Sequence, residues 1–68
     1  MKAVYTFNDE QTGKIYVVLP KIREVRTALG SLVITYDNGD RHTFEVSDLK
    51  QTLDHLVLCL ENYYQQKA

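Results

Sequence analysis

His55 and Cys59 are four residues apart, one turn of a helix, a spacing that can set two soft ligands on one metal. A zinc site needs three or four ligands, and only His42 remains as a further donor of that kind. Cys59 also falls at the margin of an apolar stripe, where a free cysteine behaves as a small hydrophobe. No metal site and no cofactor are expected. Asp54 and His55 are sequence neighbours on the same helix, so they do not face each other as an acid–base pair. Of the serines, Ser31 lies in a turn and Ser47 suits a helix cap. No phosphate loop or dinucleotide fingerprint is present. His42 falls on a core-facing position near Ile34 and reads as a half-buried structural histidine, the place for a pH effect if buried. These residue types in this arrangement do not compose a catalytic centre, and an enzyme is not expected.

A different chemistry is written in Lys14, Lys21, Arg23 and Arg26, interrupted by Glu24. With Tyr16 beside them, a sheet that stacks bases and holds phosphates is conceivable. The cluster lacks density, though, and no RNP-like or helix-turn-helix motif accompanies it. Lysine and arginine also sit on solvated strand edges to discourage edge pairing. A formal net charge of −1 argues against a protein whose main work is coating nucleic acid.

The elements that position these residues come from periodicity. Leu32 to Val46 is the strongest local signal, two β-prone runs flanking Asn38-Gly39. A two-residue loop at Asn38-Gly39 pairs Val33 with Phe44 and splits the apolar residues between faces. A three-residue loop Asp37-Asn38-Gly39, with Gly39 left-handed in a bulge, pairs Leu32 with Phe44 and Tyr36 with Asp40. It gathers Leu32, Ile34, Tyr36, Phe44 and Val46 on one face. A one-residue slip flips every side chain, so the bulged register is expected. Lys2 to Asn8 and Lys14 to Leu19 form a second hairpin, and the same turn with Gly13 left-handed pairs Phe7 with Val17 and Tyr5 with Leu19. Pro20 ends the second strand. Val25 and Thr27 favour a short strand over residues 22–28, and Leu29-Gly30 turns into the next one.

From Ser47 the period changes to that of a helix. Leu49, Leu53, Leu56, Leu60 and Tyr63 recur at spacings of four and three and make one apolar stripe, widened by Val57 and Tyr64 on one flank and Cys59 on the other. Ser47 is the expected N-cap. The expected fold is α+β in one domain of residues 1–68: an antiparallel sheet of four to five strands (about 2–8, 14–19, 22–28, 31–37 and 40–46), built from two bulged hairpins, with a C-terminal helix of about 48–66 across one face. The closing order of strand, strand, turn, strand, helix resembles the end of a pleckstrin-homology-like domain. The resemblance is one of topology and implies no lipid-binding motif.

Composition sets the outer limits. The chain has 68 residues, 44% hydrophobic and 25% charged, so it is not of the disordered class. A core of this size supplies about 3–5 kcal/mol, and help from a partner or a second copy is plausible on that ground. The single cysteine excludes an internal disulfide. The N-terminus turns polar too soon for a signal peptide, and no apolar run reaches membrane-spanning length, so a cytoplasmic protein is the expectation.

One helix covers one face of a sheet. Val4, Tyr16, Val18 and Val33 should project from the other, and a contiguous apolar patch marks an interface. The expected function is a small non-enzymatic interaction module of bacterial or phage type, accessory, regulatory or inhibitory, with a protein partner or a homodimer formed through the open face. Val4, Tyr16, Val18 and Val33 are its anchors and Arg23, Arg26 and Arg41 its rim. Leu58, Tyr63 and Tyr64 extend the surface along the helix. The alternative is a nucleic-acid-binding domain using Lys14, Lys21, Arg23 and Arg26. A small ligand between sheet and helix needs a gap, which the bulky Leu and Tyr content argues against.

Overall fold

The computed structural model describes residues 3–67, and side chains as far as Gln65. The order is β1 (Val4–Asp9), β2 (Gly13–Val18), a short 3-10 turn (Leu19–Lys21), β3 (Ile22–Ala28), β4 (Ser31–Tyr36), β5 (Arg41–Phe44) and α1 (Leu49–Lys67). The fold is α+β, as expected, and the strand over residues 22–28 is present. The expected start of the first strand at Lys2 lies outside the described residues.

The strands do not form one sheet. β1 and β2 make a two-stranded antiparallel sheet, and β3, β4 and β5 make a three-stranded one in that order. The corner between them explains the split. β1 meets β5 at one backbone rung, Glu10 N–H donating to the Glu45 carbonyl at 2.8 Å. The neighbouring Glu45 N–H donates to the Asp9 carboxylate at 2.9 Å. A side chain takes the place that a strand's own carbonyl occupies in a ladder, and the pairing stops there.

The β4–β5 hairpin has the bulged register: Leu32 pairs with Phe44 and Ile34 with His42. Tyr36 N–H donates to the Asp40 carbonyl, and Gly39 takes a φ of 95°. Only glycine adopts that backbone readily. The β1–β2 hairpin is two residues out from expectation. Phe7 pairs with Ile15 and Tyr5 with Val17, because the turn occupies residues 10–12 and Asp9 pairs with Gly13. The Asp9 carboxylate receives the Gln11 and Thr12 N–H groups and so pulls the turn forward. A slip of two keeps every side chain on its face.

The core joins both sheets to the helix. Phe7, Val17, Leu19, Leu32, Ile34, Phe44, Leu56 and Tyr63 are buried together. Phe7 and Phe44 meet edge to face across the corner, with centroids 5.3 Å apart. The cap is Asp48 rather than Ser47: its carboxylate accepts the Gln51 N–H at 3.1 Å. The helix is rolled towards its Cys59 flank, leaving Val57 and Tyr64 exposed.

Candidate interaction surface

The residues expected on one open face are divided between two sheets. On the outer face of β1–β2, Val4 lies opposite Val18 and Thr6 opposite Tyr16. The fractional exposures of Val4, Tyr16 and Val18 are 42%, 66% and 44%, and the Lys14 ammonium stands 5.7 Å from the Tyr16 ring centre. This is an apolar patch of cross-strand neighbours, with the cation edging it.

Val33 does not belong to that patch. It is on β4, the middle strand of the other sheet, and is only 6% exposed. Its cross-strand neighbours are Arg26 and Thr43, and on a central strand, flanked on both sides and beside the long Arg26 side chain, it loses its solvent access. Tyr63 is also removed from the expected surface, because the stripe carries it into the core at 8% exposed. Leu58 and Tyr64 remain exposed on the helix.

The arginines gather on the three-stranded sheet. Arg26 binds the Glu24 carboxylate through its guanidinium, and Arg23 and Arg41 lie close enough for their charges to act on it. The Arg26 hydrogen bond, then its charge, holds Glu24 below the usual carboxylate range. Arg26 is thus engaged within the protein, while Lys14 belongs to the other sheet. The expected basic set Lys14, Lys21, Arg23 and Arg26 is not on a single sheet.

Asp9 is the polar centre of the molecule. The residue is 6% exposed, and its carboxylate accepts backbone N–H groups from Glu45, Gln11 and Thr12. Those donors, Glu45 foremost, hold its pKa below the ordinary value. Beside it, Ser31 Oγ donates to Glu45 Oε2 at 2.6 Å, tying the start of β4 to the corner.

A groove of about 430 Å³ opens where the beginning of β1 faces the second half of the helix. Its walls are Val4, Tyr5, Thr6 and Leu19 on one side and Cys59, Asn62 and Tyr63 on the other. Burial, and then the nearby Cys59, raise the Tyr5 pKa. This space lies at the margin between β1 and the helix, which the residue types alone did not show.

His55 and Cys59 are not joined by further ligands: among the described residues no group of three or more His, Cys, Asp and Glu side chains could hold a metal ion. His42 is exposed, ringed edge-on by Tyr36 at 5.3 Å and Phe44 at 6.1 Å between centroids. No helix of the described residues is long and apolar enough to cross a membrane. No family model, curated protein or solved structure matches this chain.

Sequence reasoning missed two features. Leu29 is fully exposed at a φ of 53°, beside Gly30 at 81°, in the two-residue turn between β3 and β4. The other is a row of outward backbone groups along β1 that have no backbone partner among the described residues. The turn at Leu29-Gly30 was expected, but neither the left-handed backbone of its leucine nor the β1 edge has a signature in residue type.

Proposed function

We propose that this chain is a small non-enzymatic protein-interaction module, cytoplasmic and accessory or regulatory in role, which self-associates through the outer face of its β1–β2 hairpin. The observation that carries this reading is the exposed cross-strand cluster of Val4, Val18 and Tyr16 on a sheet whose opposite face is already filled by the core. A two-fold interface needs only one self-complementary patch, and tyrosine is a residue type that often dominates binding energy. Leu58 and Tyr64 are further exposed apolar side chains on the helix, six residues apart and so on different sides of it. Arg23 and Arg41 supply charge on the other sheet.

Solution mass across a wide concentration range, at low and high salt, tests the reading. A dimer insensitive to salt and lost in Tyr16→Glu is the expected outcome. A monomer at every concentration overturns the self-association. Co-purification of nucleic acid only at low salt, removed by reversing Arg23 and Arg26, favours a basic interface instead, because phosphate contacts weaken steeply with salt.

A further inference from the structure

The division into two sheets has a consequence for hydrogen bonding. Leu19 N–H donates to the Ala3 carbonyl at 2.8 Å, which makes Ala3 and Leu19 a hydrogen-bonded pair of the antiparallel ladder. Such pairs alternate, so Tyr5, Phe7 and Asp9 bond inward to β2, while Val4, Thr6 and Asn8 turn their N–H and C=O groups outward. The same count from the Tyr36–Asp40 bond turns Arg41, Thr43 and Glu45 outward from β5. Glu45 is spent on the corner. The outward groups of Val4, Thr6 and Asn8 have no backbone partner among the described residues.

We infer that the free edge of β1 over Val4–Asn8 is a strand-addition site for an extended segment of a partner protein. The inference rests on the reading that this protein works by contact, but it uses an edge and not the face carrying Tyr16. Three observations define the occupant. A row of alternating donors and acceptors at strand spacing is matched by extended backbone. The groove beside this edge is lined by three consecutive β1 residues, Val4, Tyr5 and Thr6, whose side chains point to opposite faces, so the backbone edge itself forms the wall. Its other lining includes Leu19, Cys59 and Tyr63, which suit alternate apolar side chains of an incoming strand.

Charge sets the direction. β1 and β5 both run towards the corner, where the exposed Glu10 and the half-buried Glu45 stand. A segment antiparallel to β1 begins at that corner and leaves past the groove. It therefore carries a basic residue at its N-terminal end and apolar residues at every second position after it. A strand there extends the hairpin sheet by one strand, alongside Val4, Thr6 and Asn8.

The probe is the peptide Lys-Thr-Val-Thr-Val-Thr-Val, capped at both ends, followed by amide NMR and hydrogen exchange on the intact protein. At millimolar peptide, the Val4, Thr6 and Asn8 amides are expected to shift and to exchange about tenfold more slowly, the effect of one added net hydrogen bond each. N-methylation of the peptide on the edge that meets β1 abolishes the effect, and methylation of its other edge does not. This control cannot unfold the protein. Replacing the peptide's lysine by glutamate weakens binding at low salt. Thr6→Pro removes binding, whereas Tyr16→Glu retains it, so failure of the edge and failure of the hairpin-face dimer are read separately. The inference is overturned if these amides do not respond at millimolar peptide, or if the outer edges of β2 and β3 respond equally. A dimer of the free protein that Thr6→Pro, and not Tyr16→Glu, dissociates also overturns it, since a second copy then holds the edge.

Discussion

Leu29 occupies the first central position of a two-residue hairpin turn in which both central residues have positive φ. That geometry favours Asn or Gly, since the β-carbon of other L-residues crowds the backbone. The leucine side chain recovers nothing by burial, being fully exposed. Leu29→Asn is expected to raise stability by about 1 kcal/mol, a gain of roughly 4–8 °C in Tm for a domain of this size. Thermal melts check it, and an unchanged or lower Tm means the turn carries no strain. Asp9 acts in the opposite sense. Its carboxyl is held below the ordinary value, so the folded state favours the ionised form. That contribution is complete above the unfolded pKa and is lost as pH falls through the folded one. Asp9→Asn places an amide N–H₂ against one of three N–H donors. It is expected to melt lower at neutral pH and to change its Tm less than the parent does below about pH 4. Parallel pH curves for the two proteins would sink the assignment. Legibility at this scale was partial. Asp9 is an ordinary turn aspartate by type, and its third donor, Glu45, lies 36 residues away.

Among the elements, the helix was the most legible, because a stripe at spacings of three and four has few alternatives. Its centre, Leu56, is fully buried in the core shared with both sheets. Leu56→Ala is expected to cost about 2–5 kcal/mol, comparable with the whole stability of a domain this small. Leu58→Ala, on the exposed side, is expected to change stability by less than about 0.5 kcal/mol. Urea unfolding separates the two. The roll of the helix was not legible, since Cys59 and Val57 flank the stripe almost equally; in the structure Cys59 packs against the core and Val57 is exposed. The β4–β5 register was legible because only one turn type placed all the apolar residues together. The β1–β2 register was legible only to within a slip of two, because such a slip leaves the pattern unchanged.

At the scale of the whole molecule, two small sheets share one core. Phe7 of β1 and Phe44 of β5 touch, and the helix packs on both β1 and β4. Neither sheet retains a closed core without the other, and a two-stranded hairpin alone is marginal. Unfolding is therefore expected to be a single transition, with far- and near-ultraviolet circular dichroism coincident in urea. A β1–β2 signal lost earlier than the rest would show the hairpin to be an independent unit.

Residue order alone determined what depends on local periodicity and backbone chemistry. It placed the apolar residues of each strand on one face, the glycine turn of the β4–β5 hairpin, the strand after Pro20 and the helical stripe. It also marked Val4, Tyr16 and Val18 as residues facing away from the core. The tertiary structure decided what depends on meetings between distant segments. Asp9 capturing the Glu45 N–H ends the pairing of β1 with β5 and divides the sheet. That division places Val33 on a different sheet from Val4, Tyr16 and Val18, parts Lys14 from the arginines, and leaves the outward groups of Val4, Thr6 and Asn8 without a backbone partner among the described residues. Strand patterns specify which way a side chain points with a period of two. They do not specify which edge lies beside which, because edge pairing is made by backbone groups that every residue carries alike.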